Sequence, residues 1–233
     1  GWDGNTDTDS ISSTLFFTLI RHLKQELFSD EFTAYWREPD LKRRQQAIVS
    51  EIPIDILVQA LQQDESIWCD RQDTKTTESC QDIILESFYN TYNELYKLLG
   101  SDMDEWRWGQ AHETVFRHQP FSNIKGLDIL FERRFPAGGS PNSIDMSESY
   151  FKPGEGYLGT VGATFRQIIS FNDKSDTHLF INSTGQSGNV ASEHYDDMVE
   201  SFVSGKILPF NSGQALEDSN GSENFVESQE GAE

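Results

Sequence analysis

The feature that most constrains this chain is a change of hydrophobic period close to Gly100. Before that point apolar residues recur every three or four positions, and beyond it they alternate with polar ones. A side chain returns to the same face after about 3.6 residues on a helix and after about two on a strand. The chain must therefore pass from helices to strands near residue 100. Helices first and strands later, without the regular strand–helix–strand alternation of a parallel sheet, place it in the α+β class.

The first helix begins after the acidic and hydroxyl residues of NTDTDS and carries Ile11, Leu15, Phe16, Leu19, Ile20, Leu23 and Leu27 at helical spacing. A shorter helix follows Pro53, with Ile54, Leu57, Val58 and Leu61 expected on its buried face. The third presents Ile83, Ile84, Phe88, Tyr92, Leu95, Leu98 and Leu99, and Gly100 suits a left-handed stop. WGQAHETVFRH (108–118) then alternates as a strand does until Pro120, while residues 136–160, rich in Gly, Ser and Pro, read as a long surface loop or a pair of turns. Two more strands are expected at FRQIISF and THLFINS, joined by a turn at Asn172 to Ser175. A last helix has Tyr195, Met198, Val199 and Phe202 as its stripe, Ser192 as candidate cap and Gly205 as stop. Three regions result: a mainly helical segment over 1–100, a strand-rich segment over 101–210, and an acidic tail over 211–233 that carries no Lys or Arg and is expected to be disordered.

Charge and length exclude several functions. Thirty-nine acidic residues against eighteen basic give a formal net charge of -21, which repels a phosphate backbone, so nucleic acid is not an expected partner. No apolar run approaches the roughly 20 residues that a membrane helix needs, and the first residues have neither the basic region nor the apolar stretch of a signal peptide. Any export signal would have to lie upstream of Gly1.

Few residues suggest chemistry by themselves. Cys69 and Cys80 lie eleven positions apart in a polar stretch, consistent either with a disulfide or with two unpaired thiols. His112 and His118 fall on one face of the expected strand, but six extended residues separate them by about 20 Å, too far to share a metal. His22 on its helix and His178 at a strand start have no sequence partner that would activate them. Ser187, in GQSGN with His194 and Asp197 close behind, invites a triad reading. A nucleophile elbow needs glycine two positions away on both sides, however, and Gly188 follows the serine directly, so Gly185, Gln186, Ser187 and Gly188 read better as a structural turn. FPAGGSPNS matches neither phosphate-binding glycine motif, and the acidic pairs Asp102 with Asp104 and Asp196 with Asp197 read as solvated faces.

Five strings taken in order resemble the penicillin acylase family: WDG at 2–4, WRWGQAHETVFRH at 106–118, GGSPNSIDMS at 138–147, FRQIISFND at 165–173, and the run from Thr184 through GQSGNVASEHYDDMVESFVSGKILPF. Their order and spacing are similar to the last part of the family's β subunit, from about Trp2 to Phe210. The resemblance implies an N-terminal-nucleophile hydrolase with an αββα sandwich, cut from a precursor into α and β subunits. In such enzymes a serine that opens the β subunit attacks the amide carbonyl, and its own α-amino group takes the proton.

Gly1 has no side-chain oxygen or sulfur, so the chain alone is expected to be inactive, with no catalytic, cofactor or metal residue assigned in it. The family's nucleophile, oxyanion asparagine and calcium ligands would lie upstream, which leaves calcium as a possible cofactor of the parent protein only. The implied partners are the α subunit, the rest of the β subunit and a small-molecule amide: a penicillin side chain, an acyl-homoserine lactone or a related N-acyl compound. Gly138, Gly139, Ser140 and Asn142 are the candidate residues to approach the acyl pocket. The periplasm or the exterior is the implied location, which favours an oxidised Cys69–Cys80 pair. The alternative function is a non-catalytic binding or scaffold domain derived from the same family.

Overall fold

Helix formation at the start is set by Ser10, whose Oγ accepts a hydrogen bond from the Ser13 amide at 3.2 Å and satisfies a donor that the first turn leaves open. Helix α1 then runs over Ile11–Thr33. The computed structural model describes residues 2–33, 47–63, 66–141, 143–171 and 178–209. The expected turn at 172–175, the tail at 211–233 and Asn142 lie outside these described residues. Helix α2 spans Ile54–Leu61 and helix α3 spans Cys80–Leu99. A reciprocal capping box starts α3: the Ser79 Oγ accepts from the Asp82 amide and the Asp82 carboxylate accepts from the Ser79 amide. Gly100, at φ +93, ends it.

The chain divides into two compact units, Gly1–Gly162 and Ala163–Glu233. The change of structure type near residue 100 is thus not a boundary between units, because helices and strands pack together in the first one. Its sheet has the order β2-β1-β4-β3, from Arg133–Pro136, His112–Phe116, Gly156–Gly162 and Ser147–Lys152. Strands β1 and β4 run parallel, with His112 beside Tyr157 and Thr114 beside Gly159, and the other two pairings are antiparallel. The second unit holds an antiparallel sheet of order β5-β6-β7, from Phe165–Ile169, His178–Asn182 and Leu208–Pro209, and a short helix over Val199–Val203. Mixed helices and sheets make the fold α+β.

Leu23, Leu27, Phe28, Val49, Leu57, Ala60, Cys69 and Ile83 form one core cluster between the helices. Cys69 and Cys80 are joined by a disulfide with their Cα atoms 4.9 Å apart. Trp108, Ala111 and Tyr157 form a second cluster, against which Phe17, Leu98, Leu99 and Phe151 pack.

Several local expectations are corrected. On α2 the buried residues are Leu57 and Ala60, while Ile54 and Val58 are exposed. On α3, Phe88 and Tyr92 are exposed, and the buried line is Ile83, Ser87, Thr91 and Leu95. WGQA is a helical turn over Trp108–Ala111, so the strand starts only at His112 and stops before His118. Residues 136–160 are not a loop throughout: β3 and most of β4 lie there, in segments whose glycines hide the strand pattern. Ser192 caps no helix, since the last helix begins at Val199.

Candidate functional site

The best-built site in the first unit is a backbone junction under the second core cluster. The segment before α1 is held by three carbonyls. Ser10 O accepts from the Trp108 amide at 3.0 Å, Thr8 O from the Gly109 amide at 2.7 Å, and Thr6 O from the Gly139 amide at 3.0 Å. The Trp108 indole N–H donates to the Gly139 carbonyl at 3.0 Å.

The glycines are there because backbone passes too close for a side chain. A Cβ on Gly138 would lie 2.8 Å from the Thr6 carbonyl, and one on Gly139, at φ +85, would lie 2.3 Å from the Asp145 carbonyl. The Ser140 amide meets the Ser143 hydroxyl at 2.9 Å, and the Ser140 carbonyl accepts from the Ser147 amide at 3.2 Å. Gly138, Gly139 and Ser140 therefore join the amino-terminal segment to the sheet and are largely enclosed by the chain's own backbone.

His112 completes the junction. It is fully buried, stacks on Trp108 at 4.6 Å with ring planes 4° apart, and places Nδ1 2.7 Å from the Ala137 carbonyl. Because a carbonyl only accepts, Nδ1 carries the proton. Burial pushes the His112 pKa below its usual value, against the opposing pull of the Ala137 carbonyl and of Asp145. The ring is thus neutral, and its Nε2 is buried without a hydrogen-bond partner among the described residues. That lone pair faces Gly159, where an added Cβ would come within 3.4 Å of Nε2 and 2.9 Å of the Ser147 hydroxyl.

A second polar group links α1 to the sheet. Arg21 pairs with Glu94, its guanidinium lies 4.1 Å from the Phe151 ring centre, and its Nε approaches the Tyr157 hydroxyl at 3.4 Å. Tyr157 in turn donates to the Thr18 hydroxyl at 3.0 Å. Burial alone would raise the Glu94 carboxyl, but hydrogen bonding to His22 and the charge of Arg21 outweigh it, and the net shift is downward. His22, Asn90, Glu94, Lys97 and Phe151 border a cleft of about 340 Å³ to which Gly138, Gly139 and Ser140 do not contribute. This arrangement of mutually paired charges orients helices and strands; it holds no nucleophile beside a base.

In the second unit, Ser187 and His194 meet through backbone, the Ser187 amide donating to the His194 carbonyl at 3.0 Å. Among the described residues the Ser187 hydroxyl accepts from the Asn189 amide at 3.1 Å, and the His194 ring meets Asp197 at 2.9 Å instead of the serine. Gly185 is required by closeness, since a Cβ there would lie 2.2 Å from the His194 carbonyl. Among the described residues no group of three or more His, Cys, Asp or Glu is arranged to hold a metal ion.

The sequence reading singled out Gly139, His112 and the 185–188 turn but missed their partners Thr6, Thr8 and Ser10, which sit in a stretch taken only as a helix opening. It also missed Arg21, Glu94 and Tyr157, whose association spans distances in sequence that no local pattern records.

The junction and the turn belong to a chain whose family can be stated. The penicillin amidase family model matches residues 1–217, and the chain belongs to that family. It is similar to the acyl-homoserine lactone acylase QuiP of Pseudomonas syringae pv. tomato, at 26% identity over 211 residues covering 89% of this chain and 25% of that protein. It is also similar to the QuiP protein of Pseudomonas aeruginosa, at 25% identity over 226 residues covering 90% and 26%. The chain thus spans about a quarter of the length of the curated relatives it matches. A thermostable penicillin G acylase from Alcaligenes faecalis superposes with a TM-score of 0.48 and 15% identity, over 99% of this chain and 40% of that one.

Proposed function

We propose that this chain is the C-terminal part of an amidohydrolase that releases the acyl group of an N-acyl compound, with an acyl-homoserine lactone as the first candidate substrate and a penicillin side chain as the second. The observation that carries the reading is the family match over residues 1–217, within which the relatives named above are acyl-homoserine lactone acylases. The chain's own role is scaffolding. The Trp108–His112–Gly139 junction anchors the start of β1 beside the start of β4, and the nucleophile, its base, the oxyanion donors and any calcium belong to the remainder of the precursor.

The Cys69–Cys80 disulfide supports an oxidising location, the periplasm or the exterior. The test is expression of the full-length gene in its host, amino-terminal sequencing of the mature chains, and mass-spectrometric detection of acid released from a long-chain N-acyl homoserine lactone and from a phenylacetyl amide. Processing to a chain that opens with Ser, Thr or Cys, together with acid release, is the expected result. An uncut polypeptide that releases no acid from either substrate would refute the hydrolase and leave the non-catalytic binding domain.

A further inference from the structure

The core of the first unit contains a strong acceptor that its own hydrogen bonds leave unused. His112 is fully buried, and its Nδ1 proton is committed to the Ala137 carbonyl at 2.7 Å, so Nε2 presents a bare lone pair. That nitrogen has no hydrogen-bond partner among the described residues. Folded proteins rarely leave an enclosed acceptor unanswered, because it has given up its hydration and received nothing in exchange.

The surroundings show what can answer it. A Cβ built on Gly159 would lie 3.4 Å from His112 Nε2, 2.9 Å from the Ser147 hydroxyl and 3.4 Å from the Glu113 carbonyl, so these three polar atoms converge on the bare face of one glycine. Ser147 is buried as well, and among the described residues its hydroxyl meets no partner. The imidazole nitrogen and the carbonyl can only accept, while the hydroxyl has a single proton and could serve one of them at most. A molecule with two protons to give and a lone pair to receive the third satisfies the whole set. Water has that inventory.

We propose that one internal water is a fixed part of this protein, bound on the bare face of Gly159, where it donates to His112 Nε2 and to the Glu113 carbonyl and accepts from the Ser147 hydroxyl. Three hydrogen bonds are the usual complement of a buried water. The site has a consequence for the chain around it. Ala137 opens the connection between β2 and β3, Ser147 closes it, and Gly138, Gly139 and Ser140 lie within it. His112 holds the first end of this connection through Nδ1 and the last end through the water, which makes the ring its positioning residue. Gly159 is needed because a methyl group would stand at the point where the three polar atoms meet. The inference rests on this chain's own groups and holds whether or not the protein is a hydrolase.

Crystallography of the mature protein, at a resolution that orders internal water, tests the site directly. One water peak should lie within about 3.2 Å of all three polar atoms. A Ser147 hydroxyl turned straight onto Nε2, or no peak beside Gly159, overturns the proposal. Hydrogen–deuterium exchange tests the clasp. In Ser147→Ala the amides of the connection, Gly139, Ser140 and Ser147 among them, should exchange about fivefold faster while those of α1 keep their rate. Ser147→Thr retains the hydroxyl and should exchange as the unaltered protein does. Unchanged exchange in Ser147→Ala overturns the positioning role, and so does acceleration that extends equally over α1, which marks a general loss of stability.

Discussion

Substituting Gly139 by alanine measures directly how tightly the junction is packed, because the structure provides its own control. Gly139 and Gly126 have nearly the same positive φ, +85 and +94. A Cβ at Gly126 meets nothing within 4 Å, whereas at Gly139 it would sit 2.3 Å from the Asp145 carbonyl. The conformational strain of a left-handed alanine, about 1–2 kcal/mol, is common to both and cancels in the comparison. What remains is the overlap with backbone, which cannot rotate away and costs roughly 1–3 kcal/mol. Gly139→Ala should therefore be less stable than Gly126→Ala by about 2 kcal/mol, or roughly 4–8 °C in Tm for a chain of this size. Urea unfolding of both variants, read by tryptophan fluorescence because Trp108 donates to the Gly139 carbonyl, gives the difference. Equal stability, within about 0.5 kcal/mol, would refute the claim that close backbone approach fixes glycine at this position.

Replacing both cysteines by alanine should lower unfolding stability by about 3 kcal/mol, the loop-closure value for a bridge spanning eleven positions, measurable by denaturation with and without reductant. The histidines should respond to pH in opposite directions. His112 is buried and held neutral, its pKa depressed, so its contribution is complete above the unfolded value of about 6.5 and is lost as pH falls below it; a His112→Gln variant should flatten the acid limb of stability against pH. His194 is raised by its hydrogen bond to Asp197, so its contribution is present below about 6.5 and fades as pH rises through the folded value. NMR titration should show Asp197→Asn returning His194 to an ordinary pKa. Ser79→Ala removes the α3 capping box and should cost about 1 kcal/mol in chemical denaturation, with a helical signal that frays first at the amino end of α3.

What the sequence determined by itself was local. The period of Ile11 to Leu27, the recurrence of apolar residues from Ile83 to Leu99, and the stop at Gly100 each act within one or two turns of chain, so α1 and α3 were readable without any tertiary information. The five ordered strings were also legible, and the family they resembled is the one whose model matches residues 1–217. Tertiary structure decided the rest, because it depends on which segments meet. The parallel pairing of β1 with β4 joins residues more than forty positions apart, and Thr6 is tied to Gly139 across most of the first unit. The face that α3 buries was misread for the same reason. Hydrophobicity placed Phe88 and Tyr92 inside, whereas the line that α3 buries carries the smaller Ser87 and Thr91. A helix's apolar residues show that something will cover them, and only the packed chain shows which of its faces is still uncovered.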